Sequence, residues 1–244
     1  MPEYGRLTPD AVPHTSPIPA PLYPPPPWPL PESRVLKIVF ETSADAVLTW
    51  LPPKLSRSAP PYAIVTVASY RQSPVGPFNV ATQYVGCRAG FFTRAFALQM
   101  IADNSAAVAA LREIWGLPCQ LGSIEVDRSG STVHARLAVN DGPIASMQLN
   151  DGTPIDPGAV RIDPVLTVRA TPAIEEGKAH DLLQLVQIDP DYELSDCLRG
   201  RGSLTYPNDE SPNPWAQVPM LNMISAVDCS VSTELPLARY VMPY

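Results

Sequence analysis

Residues 103–122 read DNSAAVAALREIWGLPCQLG, and the rest of the chain is organised around them. Asp103, Asn104 and Ser105 are good helix N-caps, because a short polar side chain can accept from the free N–H groups of a first turn. The alanine-rich run that follows loses little side-chain entropy on becoming helical. Gly116 and Pro118 stop the helix: glycine tolerates the reversal, and proline cannot donate the next hydrogen bond. Cys119 and Gln120 therefore sit just past a helix stop, where the chain re-enters the body of the protein.

On the N-terminal side, residues 34–40 (RVLKIVF) alternate and are rich in branched side chains, which predicts a strand. Residues 42–50 predict a short helix, capped by Thr42 or Ser43 and packed through Ala44, Ala46, Val47, Leu48 and Trp50. It ends at Leu51 because a residue before proline disfavours the helical region. Residues 62–70 predict a second strand, too apolar for an exposed edge, and residues 82–87 and 90–101 carry the sheet into the central helix. On the C-terminal side, alternating segments at 123–128, 132–139 and 144–149 are divided by the turn signals Ser129-Gly130 and Asn140-Asp141-Gly142. Segments at 160–168, 181–188 and 221–231 extend the series. Many short strands with two short helices predict a mainly β (α+β) protein with a closed or nearly closed antiparallel sheet.

Residues 1–31 contain twelve prolines, including the run Pro24-Pro25-Pro26-Pro27. Such a segment favours the extended polyproline conformation and excludes helix or central strand. Leu22, Tyr23, Trp28 and Leu30 add apolar bulk that a simple linker does not need, so this arm is expected to lie across the body or a neighbouring subunit. The expected organisation is an arm over 1–31 and one domain over 32–244.

A net charge of −7 argues against nucleic-acid binding, which calls for a basic stripe. No window approaches a membrane-spanning apolar run, and the N-terminus lacks the pattern of a signal peptide, so a soluble, cytoplasmic protein is expected. The four cysteines, Cys87, Cys119, Cys197 and Cys229, are too far apart for a zinc or disulfide framework, and three dispersed histidines show no metal-ligand spacing. No metal and no cofactor are expected. Lysine occurs only at Lys37, Lys54 and Lys178, which leaves few amines for catalysis.

The central stretch resembles the acetoacetate decarboxylase family, whose members carry D-N…A…G-R-E…P-K-K-L-G here. Asp103, Asn104, Arg112, Glu113, Pro118, Leu121 and Gly122 match. Leu51-Pro52-Pro53-Lys54-Leu55 is similar to the family's L-P-x-x-L turn, and Gly76-Pro77-Phe78 to its G-P-Y strand opening. The resemblance spans residues 30–244, patchily over 140–180, and implies a β-barrel or cone with an enclosed pocket. Family members form a Schiff base through the first of two adjacent lysines, whose pKa is lowered by its surroundings. Here Cys119 and Gln120 occupy those two positions. The family's two pocket glutamates fall at Val80 and near Val65, and its pocket arginine at Ser33 or Arg34. Acetoacetate decarboxylation by that route is therefore not expected.

What the resemblance implies instead is a cofactor-free enzyme whose less charged pocket turns over a polyketide-like or keto-acid intermediate of specialised metabolism. Cyclisation, isomerisation and dehydration all fit a dry pocket with a few polar donors. Alternatives are a non-catalytic small-molecule binder and a hydrolase using Cys119. The candidate catalytic residues are Gln120, Cys119, Tyr84 and Glu113. Arg34, Gln83, Val80, Val65, Trp115 and Leu117 are the candidate substrate-binding residues. The expected partner is a small-molecule substrate, with no nucleic acid or membrane, and assembly into a homo-oligomer is expected from the family.

Overall fold

The structure is a computed structural model describing residues 7–207 and 213–244. The first six residues of the proline-rich arm lie outside the described residues. Strand β1 (Trp28–Glu41) leads into helix α1 (Ala44–Trp50), then β2 (Ser56–Arg57), β3 (Tyr62–Tyr70), β4 (Phe78–Ala89) and β5 (Phe92–Ala102). Helix α2 (Ser105–Glu113) and the short β6 (Cys119–Leu121) follow. Then come β7 (Ser123–Ser129), β8 (Thr132–Val139), β9 (Gly142–Pro154), β10 (Val165–Pro172) and β11 (His180–Ile188). The described chain closes with β12 (Tyr192–Thr205), β13 (Asn222–Leu235) and β14 (Arg239–Pro243).

One sheet runs in the order β14-β11-β10-β5-β4-β3-β1-β13-β12-β9-β8-β7. Its two end strands do not pair, so it curls into a cone without closing, and β7 comes back against β4 and β5. The strands are longer than the sequence suggested: β1, β12 and β13 each have 14 residues. Strand β10 begins later than expected. Asp156 accepts from Gly158 N at 2.8 Å and caps a 3-10 turn over Pro157–Ala159, which holds the chain out of the ladder until Val165.

The arm is not excluded from the sheet. Trp28, Pro29 and Leu30 pair with Leu235, Glu234 and Thr233, whereas pairing with β3 begins only at Arg34–Ser69. With a partner on one side only, the missing proline N–H removes nothing from a ladder. Tyr23, Trp28 and Leu30 are buried, while Leu22 stays half-exposed. In α1, Val47 is buried but Leu48 and Trp50 remain outside, since a seven-residue helix turns only one narrow face to the sheet.

The central strands are covered on both faces, and their period of two sorts the side chains. Leu36, Ile38 and Phe40 of β1, with Val65 and Val67 of β3 and Ala81 and Val85 of β4, join one core with Val133, Leu137, Met147 and Leu149 from β8 and β9. The intervening residues face a second cluster built on α2, with Trp28, Met100, Ala107, Leu111, Trp115 and Leu117.

Candidate functional site in the sheet-and-helix cavity

Helix α2 is held by the signals read above. Asn104 is its N-cap, accepting from Ala107 N at 3.1 Å, while Asp103 ties the helix to the start of β4 by accepting from Asn79 N and Nδ2 at 2.7 Å. Gly116 takes φ +69°, and a Cβ there would come within 2.8 Å of the Arg169 backbone, so glycine is required for both reasons. The reversal drops Leu117 beside Leu111 and lays β6 parallel to β5, with Cys119 opposite Met100.

Between α2 and the sheet lies a cavity of about 150 Å³. Apolar side chains form most of its wall, among them Trp28, Val35, Ile64, Val80, Leu111 and Leu117. Its polar groups are Lys37, Thr66, Thr82, Tyr84, Tyr70, Tyr192 and Asp163. Strand register aligns several of them: Lys37 is opposite Thr66, Thr66 opposite Thr82, Thr82 opposite Met100, and Met100 opposite Cys119. A single transverse row thus crosses five strands, with an amine at one end and a thiol at the other.

Burial pushes the Tyr84 phenol up, opposed by the neighbouring Thr82 and Thr66 hydroxyls. Burial likewise raises Tyr70 and Tyr192. These phenols stay protonated at neutral pH, so each keeps an O–H to donate. Lys37 moves the other way: desolvation lowers it, partly opposed by Asp163. Asp163 is held by Arg161 at 2.7 Å and accepts from the Tyr62 hydroxyl at 3.4 Å.

The structure places the expected residues as follows. Val80, Tyr84 and Leu117 line the cavity. Gln83 and Val65 do not, because adjacent strand residues point to opposite faces. Gln83 is instead buried in the other layer, donating to Trp215 O at 2.9 Å and accepting from Gln99 at 3.0 Å. Trp115 stands behind the cavity wall, edge-on to Trp28 with centroids 5.2 Å apart, and donates to Pro236 O. Arg34 is directed to the Asp228 carboxylate and Ser230 Oγ, away from the cavity. Arg128 binds the same carboxylate at 3.3 Å, so a fully buried acid is shared by two arginines.

Cys119, Gln120 and Glu113 border an outer groove, separated from the cavity by Met100 and Leu117, which line both. Gln120 is exposed, Glu113 accepts from the Tyr23 hydroxyl, and Arg112 donates to Cys119 O at 3.1 Å. Burial pushes the Cys119 thiol up to about 12, despite Arg112 nearby. A thiol in that state is a poor nucleophile at neutral pH. Sequence reasoning missed Lys37 and Asp163. For Lys37 the signal was a cation in the middle of RVLKIVF, where a half-buried strand seldom tolerates one without a use.

Among curated proteins, decarboxylase DEC1 of Cochliobolus heterostrophus is 23% identical over 212 residues, covering 82% of each chain. The crystal structure of acetoacetate decarboxylase from Legionella pneumophila superposes with a TM-score of 0.84 at 22% identity, covering 92% of this chain and 91% of that one. The enduracididine biosynthesis enzyme MppR, complexed with the condensation product of pyruvate and imidazole 4-carboxaldehyde, gives a TM-score of 0.77 at 18% identity, covering 92% and 93%. The family model for acetoacetate decarboxylase (ADC) matches residues 12–244, and the chain belongs to that family.

Proposed function

We propose that this protein is a cofactor-free enzyme of specialised metabolism that acts on a keto-acid or polyketide-like carbonyl compound by proton transfer, leading to isomerisation, dehydration or ring closure. The observation that carries this reading is the cavity itself: mostly apolar walls, with hydroxyl, phenol, amine and carboxylate groups gathered around one row of the sheet. In such a place a few donors act strongly, because water does not compete with them. Tyr84 is positioned to donate to a carbonyl oxygen as negative charge develops on it. The likeness to MppR, which binds a condensation product of pyruvate, and to decarboxylase DEC1 supports a carbonyl substrate. At position 119 a cysteine offers no amine for an iminium electron sink, so acetoacetate decarboxylation from that position is not part of the reading. Exposed apolar side chains such as Trp50, Phe91 and Ile174 support assembly into a homo-oligomer, which light scattering would check.

The test is a panel of 2-keto and 3-keto acids and small β-dicarbonyl compounds, followed by NMR. Conversion of at least one is expected, with Tyr84→Phe lowering its rate about 10²-fold, the usual scale for one lost donor to a developing oxyanion. Binding in the cavity without any conversion would instead make the protein a non-catalytic binder.

A further inference from the structure

We propose that Lys37 is the base of this cavity, its Nζ removing the proton α to the carbonyl of a bound ketone. The inference rests on the proton-transfer reading above and adds the group that begins the reaction. Lys37 lies in β1 between Leu36 and Ile38, both directed into the core, so strand alternation sends its side chain to the cavity face with Val35. It is also one of the residues that line both the cavity and an outer groove with Tyr62 and Arg88, which puts the amine at the entrance. Nζ donates to the Arg161 carbonyl. In its neutral form an amine that donates one N–H in this way still has its lone pair to take a proton.

The other two lysines are differently placed. Lys178 is paired with Asp181 at 2.8 Å, and Lys54 donates to Pro243 O at 2.7 Å on the surface. Among the described residues no carboxylate lies within ion-pair distance of Lys37 Nζ, and Asp163 is paired with Arg161. The charged and titratable groups facing Lys37 are Asp163, Arg161 and Cys229, with Tyr62 and Arg88 along the groove. Desolvation outweighs the attraction of Asp163, which favours the neutral amine.

Opposite Lys37 is Thr66, whose hydroxyl supports the Tyr84 phenol. An amine whose pKa is lowered and a phenol whose pKa is raised therefore flank one threonine, displaced in the senses a base and an oxyanion donor need. In the step itself the Nζ lone pair takes the α proton and becomes an ammonium. The C–H electrons move into the carbonyl, giving an enolate whose oxygen accepts from Tyr84. Return of the proton to another carbon isomerises the substrate. Loss of a β-hydroxyl, protonated by the ammonium to leave as water, dehydrates it. Attack of the enolate carbon on a second carbonyl closes a ring, and the ammonium gives its proton to the alkoxide that forms.

Two measurements on the full chain test this. With three lysines, reductive ¹³C-methylation gives three side-chain resonances beside that of the N-terminus. The Lys37 resonance is expected to titrate at lower pH than those of Lys54 and Lys178, and joint titration would overturn the proposal. In D₂O the protein is expected to accelerate deuterium uptake α to the carbonyl of 2-pentanone, with a rate that rises with pH through the Lys37 titration and then levels. Lys37→Met and Lys37→Arg are each expected to reduce that rate more than tenfold, the second keeping a cation, and Lys54→Met to leave it unchanged. Wild-type exchange in both Lys37 variants would place the base elsewhere while sparing the proton-transfer reading. No exchange by the unmodified protein would remove both. A borohydride-trapped adduct on Lys37 would overturn the base assignment in favour of an imine.

Discussion

The two faces of β1, β3 and β4 are made by the same three strands and do opposite things. On one face, Leu36, Ile38, Phe40, Val65 and Val67 meet β8 and β9 in a continuous apolar core. Two fully buried polar side chains admitted there are matched: Gln83 has Trp215 O and Gln99, and Asp228 has Arg34 and Arg128. On the other face, Lys37, Thr66, Thr82 and Tyr84 border a void. A core face that left such groups beside empty space would lose the stability that burial confers. The cavity face can carry them because the opposite face of the same strands supplies the burial. Stability and chemistry are thus divided residue by residue along each strand.

This division can be broken in graded steps. Phe40→Ala, on the packed face, is expected to destabilise the fold by about 3–5 kcal/mol, the scale for a truncated buried aromatic. Urea unfolding would measure it, and a much smaller loss would mean that the core face is not close-packed. Gln83→Leu should cost about 1–3 kcal/mol, because the Trp215 carbonyl and the Gln99 amide lose a buried partner. If Gln83 served substrate rather than the core, its replacement would alter KM and leave the unfolding midpoint in place. Thr66→Val, on the cavity face, should cost about 1 kcal/mol, the scale of one hydrogen bond. It should also slow turnover, since the Tyr84 phenol loses one of its supporting hydroxyls. An unchanged rate together with a lowered unfolding midpoint would place Thr66 on the structural side of the division.

Local signals in the chain were readable in proportion to how local their physics is. The cap at Asn104, the stop at Gly116 and the span of β3 follow from neighbouring residues, and the structure has them where the pattern puts them. The entry of Trp28 into β1 was not readable, because it depends on which side of the strand acquires a partner, here β13 from the far end of the chain. The site divides in the same way. Val80 and Tyr84 share a strand face two turns of the pleat apart, and both meet the cavity. Gln83 was expected beside Tyr84, although neighbours in a strand face apart. In the sequence Lys37 is one of three scattered amines. Its place on the transverse row of Cys119, four strands away, emerges from register, which no short stretch of sequence records.

The position of β1 between β3 and β13 also sets when the protein can exist at all. Lys37 faces Thr66 on one side and Val227 on the other, so its strand acquires a second neighbour only after nearly the whole chain has been made. Synthesis proceeds at about 5–20 residues per second, and non-local strand pairing is slow to form. The early strands must therefore wait on the ribosome with one edge open, a state in which exposed ladder groups invite pairing with other chains. That exposure ends only when β13 arrives and takes the open edge of β1.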